Sequence, residues 1–226
     1  MSLRLNMKSI IRYLLSSFLL FIVVIGNAQE DNSLKKGLRI GIDLSPIVLM
    51  GFDPGRVGVA IAMDYEFKKN FFGVIEGGWL DYNIDHPDYN YQLNGIYALV
   101  GTDYNFLKQE SRVDHDIFFV GIRYGASSFQ QQTDNITYTN YWGTFEDTYE
   151  SQHLFGQWAE ITGGLKVELY FAKNVFIGWT LRAKILISGK NNDILQPYVI
   201  PGYGNTEKNL KFGLSWFVAY RIPFKE

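Results

Sequence analysis

The chain has 226 residues, a formal net charge of −2, no cysteine, 22 glycines and 16% aromatic residues. The lack of Cys excludes a disulfide scaffold, a thiolate metal site, a Cys nucleophile and a lipid-modified N-terminal Cys. The length fits one domain or two small ones, the Gly and aromatic content favours β structure, and the mildly acidic balance argues against a nucleic-acid partner.

Residues 1–28 read as a signal peptide. Arg4, Lys8 and Arg12 form its basic region, residues 14–25 its apolar core, and Gly26, Asn27 and Ala28 the small residues before a cut ahead of Gln29. The core is short for a spanning helix, which needs about 20 residues. Cleavage removes three basic residues and no acidic one, so residues 29–226 carry 18 basic against 23 acidic groups, a charge of −5.

The first predicted strand is 37–49. Leu38, Ile40, Ile42 and Leu44 share one face, and Arg39, Gly41, Asp43 and Ser45 the other. A turn at 51–55, rich in Pro and Gly, leads to strand 56–67. There Val57 to Phe67 alternate with Gly58, Ala60, Ala62, Asp64 and Glu66. Strand 71–82 is less regular, because Val74 and Leu80 fall on the face of Glu76. A loop at 85–88 precedes strand 91–106, whose polar face holds Tyr97, Gly101 and Asp103. A charged turn at 108–114, with His115 beside it, leads to strand 116–127, where Gly121, Arg123 and Gly125 share a face. Residues 128–156 break the rhythm. Strand 157–171 presents Glu160, Lys166 and Glu168, and strand 175–187 presents Arg182 and Lys184. Residues 188–208 form a second long connection with Pro197, Pro201, Gly202 and Gly204.

The closing strand, 211–224, has the clearest pattern. Phe212, Leu214, Trp216, Val218, Tyr220, Ile222 and Phe224 make an unbroken apolar row opposite Lys211, Gly213, Ser215, Phe217, Ala219 and Arg221. Exposed to water, so long an apolar edge would aggregate; lipid on that face and a closed barrel remove the problem. The strand resembles the closing strand of Gram-negative outer-membrane barrels, the small OmpA/OmpX-type being the nearest group, although Lys225 and Glu226 follow the terminal aromatic. The resemblance implies an eight-stranded antiparallel up-and-down transmembrane β-barrel, all-β, exported to the bacterial outer membrane. It also implies that Trp216, Tyr220 and Phe224 signal to the barrel-assembly machinery. Outer-membrane lipid is the expected surround and a monomer the expected state. Mostly short links at one end and longer ones at the other agree with that architecture.

The polar rows collect seven charges of each sign: Arg39, Arg123, Lys166, Arg182, Lys184, Lys211 and Arg221 against Asp43, Asp64, Glu66, Glu76, Asp103, Glu160 and Glu168. With small residues between them, they suit a crowded lumen in which buried charges need partners. Such a network either specifies the fold or passes ions. The aromatics Tyr65, Phe67, Phe71, Tyr104, Phe106, Phe171, Tyr220 and Phe224 fall near the short-turn end, and Trp79, Tyr124 and Phe212 near the other, as interfacial girdles do. No catalytic, cofactor or metal residue is assigned. His86 and His153 lie in external segments, and His153 with Glu150, Ser151 and Glu160 is the sole candidate for a lipid-modifying rim site. Tyr138, Tyr141, Trp142, Phe145 and Tyr149 lie beside Asp134, Glu146, Asp147 and Glu150 and form an external contact candidate for an extracellular ligand. The rival architectures are an outer-membrane lipid enzyme and a soluble lipocalin-like carrier with its apolar rows turned inward.

Overall fold

The computed structural model describes residues 37–107, 116–141, 143–190 and 196–224, without the side chains of 135, 138–140 and 144–146. The signal peptide, the charged turn at 108–114 and His115 lie outside the described residues. Eight strands close into a barrel: β1 (Gly37–Asp43), β2 (Arg56–Lys68), β3 (Phe71–His86), β4 (Tyr89–Asn105), β5 (Ile117–Asn140), β6 (Gly143–Glu168), β7 (Val175–Ser188) and β10 (Leu210–Pro223). Each strand pairs antiparallel with its sequence neighbour in the ring, and β10 closes on β1 from Gly37↔Pro223 to Asp43↔Phe217. Between β7 and β10 lie the two-residue strands β8 (Val199–Ile200) and β9 (Gly204–Asn205).

The register fixes the tilt. Followed across the strands, Leu210 pairs with Ile185, then Ala159, Tyr124, Val100, Ile75, Met63, Ile40 and finally Tyr220. One circuit therefore returns to β10 ten residues from its start. That stagger over eight strands tilts them by roughly 40°.

The apolar rows face outward. Trp216, Val218 and Tyr220 are 52%, 40% and 52% exposed, while Arg182 on the opposite row is 8% exposed. A lipocalin-like carrier requires the reverse, so the geometry removes that reading. The outward apolar band covers about ten residues of every strand but the seven-residue β1, roughly 25 Å of height at this tilt. Asp81 and Asn94 mark its upper edge. At the short-turn end, ring contacts link Tyr65 to Phe224, and Phe67 through Phe71 and Tyr104 to Phe106. A closed β-barrel is one of only two spanning structures whose backbone is satisfied without water. Dressed in an aromatic-bounded apolar band, it belongs in an outer membrane.

Strand boundaries differ from the sequence expectations in three places. β1 stops at Asp43, and Ser45–Phe52 form helix α1 with Pro46 at its start. Proline lacks the N–H a ladder needs, and its fixed φ suits a first helical turn. β3 and β4 run on to His86 and from Tyr89, so the expected loop at 85–88 is a tight hairpin. β5 and β6 span 24 and 26 residues, so 128–156 continues the two strands: β4 stays paired with β5 to Asp134, and beyond it β5 and β6 project as a two-stranded hairpin. Past Phe129 the inward row turns polar at Gln131 and Thr133, both buried, so hydrophobic alternation disappears while pairing continues. The short turns have a common device. Asn70 and Asn174 sit at φ 65°, a left-handed conformation Asn tolerates. Glu66 Oε1 accepts from Asn70 N–H at 2.9 Å, and Glu168 Oε1 from Asn174 N–H at 2.6 Å.

Ile122 is 62% exposed in the middle of the apolar band. Ile122→Arg is expected to destabilise the barrel by about 2–4 kcal/mol, and Ser128→Arg, at the band's rim, by about 0–1 kcal/mol. Reversible urea unfolding in lipid vesicles, followed by Trp fluorescence, measures both.

Candidate functional site: the ionic lumen

Inward side chains fill the barrel in three zones. Near the short turns Phe72, Ile117 and Phe119 form a buried apolar cluster. The Arg39 guanidinium lies over the rings of Phe72 and Phe176 at 4.7 and 5.3 Å, and Lys166 Nζ lies 4.8 Å from Phe119 and 5.6 Å from Phe217. Such contacts partly offset the desolvation of a buried cation.

The middle zone is a single chain of ion pairs with alternating sign. Arg39 Nε donates to Asp64 at 2.5 Å, and Lys166 Nζ bridges Asp64 (2.8 Å) and Asp103 (3.5 Å). Arg123 joins Asp103 (3.3 Å) to Glu76. Arg182 Nη1 then spans Glu76 (2.8 Å) and Glu160 (3.1 Å), and Lys184 lies 3.7 Å from Glu160. Arg182 Nε also donates to Ser215 Oγ at 3.0 Å, and Trp158 Nε1 to Glu160 Oε1 at 2.7 Å. The chain links residues from β1 to β7 and reaches β10 through Ser215. It comprises five cations and four carboxylates, each carboxylate touching two cations. Beside it lies a cavity of ≈ 80 Å³ lined in part by Gly41, Ala60, Ala62, Ser215 and Ala219.

The third zone, at the long-loop end, is apolar. Leu80, Tyr82, Tyr91, Leu93, Phe129 and Trp158 pack with Val199, Ile200 and Tyr203. The segment 196–209, expected as an external loop, thus folds down into the barrel mouth. Lys184 Nζ donates to Gly202 O at 2.5 Å, and Tyr203 Oη to the carbonyls of Lys208 (2.9 Å) and Asn209 (2.8 Å). Gly202 has φ +79°, and a Cβ there would stand 2.6 Å from the Tyr97 ring and 2.9 Å from Trp158.

Of the fourteen charges singled out in the sequence, nine form this chain and five do not. Glu66 and Glu168 clamp the short turns, and Arg221 Nη2 donates to Asn174 Oδ1 at 2.9 Å. Asp43 Oδ1 accepts from Ser45 N–H at 2.8 Å beside α1, and Lys211 Nζ donates to Asn205 Oδ1 at 3.1 Å near the mouth. Turns demand hydrogen bonds of their own, and face parity cannot distinguish a strand's end from its middle. Sequence reading missed the inward aromatics Phe72, Trp158 and Phe176, whose parity with Glu76, Glu160 and Arg182 would have placed them.

The remaining candidates are spread out. Trp216, Tyr220 and Phe224 line the outer face of the closing strand and are about half exposed. Tyr141 is exposed at the tip of the β5–β6 hairpin and Tyr149 is half-buried. Trp142 and the side chains of Tyr138 and Phe145 lie outside the described residues. His153 is exposed and contacts Gln130, while Glu160 points into the lumen. The two are on opposite faces of β6, so Glu160 does not join His153 in the rim candidate. Among the described residues no His, Asp or Glu cluster has metal-site geometry.

Arg123 holds two carboxylates, and Arg39 holds one that Lys166 also serves. Arg123→Met is expected to cost about 3–5 kcal/mol, and Arg39→Met distinctly less, in the same urea measurement.

Three solved structures have a similar barrel fold. The N-terminal β-barrel domain of Pseudomonas aeruginosa OprF is 15% identical, with 82% of this chain and 97% of that one covered and a TM-score of 0.33. For a major outer membrane protein from Thermus thermophilus the figures are 11%, 83%, 98% and 0.47. For Acinetobacter baumannii CarO2 they are 12%, 83%, 98% and 0.41. No curated protein matches the chain. Residues 10–226 match the family described as Domain of unknown function (DUF6048), and the chain belongs to that family.

Proposed function

We propose that the protein is a non-enzymatic, monomeric outer-membrane barrel of structural or surface-interaction type. Its charged side chains plug the lumen, and its external hairpins supply the contact surface. The observation that carries this reading is the contrast between inside and outside. Paired charges and buried rings occupy the lumen at every level, around one mid-barrel cavity of ≈ 80 Å³. The β5–β6 hairpin continues 12 residues beyond Ser128, roughly 40 Å of extended chain, although the barrel does not need it to close. Backbone pairing stiffens that projection from Thr139↔Thr144 downward. Its tip presents Tyr141 beside acidic residues, a combination that suits a protein or carbohydrate ligand outside the cell. The outward aromatics of β10 support recognition by the barrel-assembly machinery.

Two measurements test the reading. In planar bilayers the purified barrel is expected to give no steady conductance; stable ion-selective steps would overturn the plug. Replacing residues 134–149 with an Asn-Gly turn is expected to leave a barrel that still shifts in gel mobility on boiling and unfolds within about 1 kcal/mol of the parent, since exposed changes usually cost no more than ±0.5 kcal/mol. A barrel that no longer folds without the hairpin would make its role architectural and remove the contact reading.

A further inference from the structure

The barrel wall is incomplete on one side. β1 has seven residues, roughly 18 Å of height at a 40° tilt, and so falls about a third short of the apolar band. Above Asp43 the ring lacks a strand: Val57 and Val59 of β2 pair with β3 alone, and residues 210–216 of β10 pair with β7 but not with β1. Trp216 marks where the ladder ends, its N–H donating to Ser45 Oγ (2.9 Å) and its C=O accepting from Leu44 N–H (2.7 Å). Backbone groups alternate in direction along a strand, so those of Phe212 and Leu214 share Trp216's direction and point into the gap. Across the gap stands α1, leaning on β2, with Pro46 3.5 Å from where a Gly58 Cβ would be. None of its residues is buried; Ile47, Val48 and Leu49 are about half exposed and Phe52 is 84% exposed. An apolar helix with Ile47, Val48, Leu49 and Phe52 exposed at that height presents them to acyl chains of the outer leaflet.

The gap lies beside the mid-barrel cavity. Ile61, a member of the lipid-facing row, lines that cavity together with Asp43 and Ala60 where β1 ends. The volume of ≈ 80 Å³ is several times the ~10–15 Å³ a single water needs. Five cations and three carboxylates line it: Arg39, Arg123, Lys166, Arg182 and Lys184 against Asp43, Asp64 and Glu76. Two buried donors, Arg39 Nη2 and Arg123 Nε, have no hydrogen-bond partner. A chamber lined by buried donors, two of them unpartnered, behind an apolar opening suits an acidic head group on an apolar tail.

We propose that the seam between α1 and β10 is a lateral portal that binds a long-chain fatty acid from the outer leaflet, its carboxylate in the mid-barrel cavity and its acyl chain emerging among the lipids. This goes beyond the surface-contact reading and does not depend on it. The carboxylate accepts hydrogen bonds from the lining guanidinium and ammonium groups, which offsets its desolvation. The small side chains of Ala60 and Ala219 leave the space it takes.

The test is native mass spectrometry of the full barrel in nanodiscs, with oleate and oleyl alcohol as probes. Wild type is expected to retain one oleate and at least tenfold less of the alcohol, whose tail is the same. Ala60→Leu fills the cavity without touching a charge and is expected to lower oleate retention at least tenfold while the boiling shift persists. Should Ala60→Leu misfold, the acid–alcohol comparison on wild type still decides. Equal retention of acid and alcohol, no retention of oleate, or full retention by folded Ala60→Leu would each overturn the portal.

Discussion

The constraint on which the rest depends is that hydrocarbon offers the backbone no hydrogen bonds. An open sheet in a bilayer leaves two edges unsatisfied, at several kcal/mol per unpaired group. Closing β10 on β1 removes both. Eight strands with a ten-residue stagger then fix the width of the lumen, and everything inside has to fit it. The interior is just wide enough for side chains to meet from opposite walls. That width makes the contents of the inward rows a packing problem as much as an electrostatic one.

The packing solution is an aromatic side chain set across from a glycine. Inward rings face inward glycines on the neighbouring strand at Phe119↔Gly164, Trp158↔Gly125, Phe129↔Gly95, Tyr97↔Gly78 and Phe217↔Gly178. At Gly164 a Cβ would stand 2.9 Å from the Phe119 ring. A flat ring lying over a bare backbone fills a narrow cylinder that two branched side chains would overfill. Each such pair also resists a register slip, because moving one residue places the ring on lipid and an apolar outward residue inside. The ion chain acts on the same variable. Desolvation opposes burying nine charges, and the mutual attraction roughly offsets it, so the net gain in stability is small. The penalty for a mismatched register is large, because every carboxylate in the chain has two cations supplied by particular strands. Rings over glycines and alternating charges both select one arrangement of the eight strands.

Strand parity was the legible part of the sequence, and it located the lipid face of all eight strands from residues such as Ile40, Met63, Val100, Ile122 and Trp216. It also gathered the nine members of the ion chain, because a charge opposite an unbroken apolar row has nowhere to go but inward. Parity says nothing about height, so Glu66 and Glu168 looked like lumen charges although they brace turns. It says little about aromatics on a row already labelled polar, and Trp158 and Phe176 were overlooked for that reason. Where the inward row itself turns polar, as at Gln131 and Thr133, the two-residue hydrophobic period fades and the continuation of the hairpin was unreadable. The inward fold of 196–209 had a signal in Pro197, Pro201 and Gly202. These residues shape a tight excursion, but nothing in the local sequence gives its direction.

α1 is where the governing constraint is relaxed, and the relaxation is written in one residue. Leu44 still completes the ladder to Trp216. Had β1 continued, residue 46 would have faced Leu214, and the residue there is proline, with no N–H to give. The chain turns into a helix at that point because a helix satisfies its backbone internally, as Val48 N–H to Leu44 O (2.9 Å) shows, and needs no neighbour. This protects β1's continuation but not the strands on either side, whose edges above Asp43 face a helix that offers them side chains instead of a ladder. A wall of this kind is held by packing over its outer third and by hydrogen bonds below. Packing between apolar groups in lipid gains little over contact with the lipid itself. Of all the joints around the ring, the one between α1 and β10 therefore costs least to part, and it also stands beside the mid-barrel cavity.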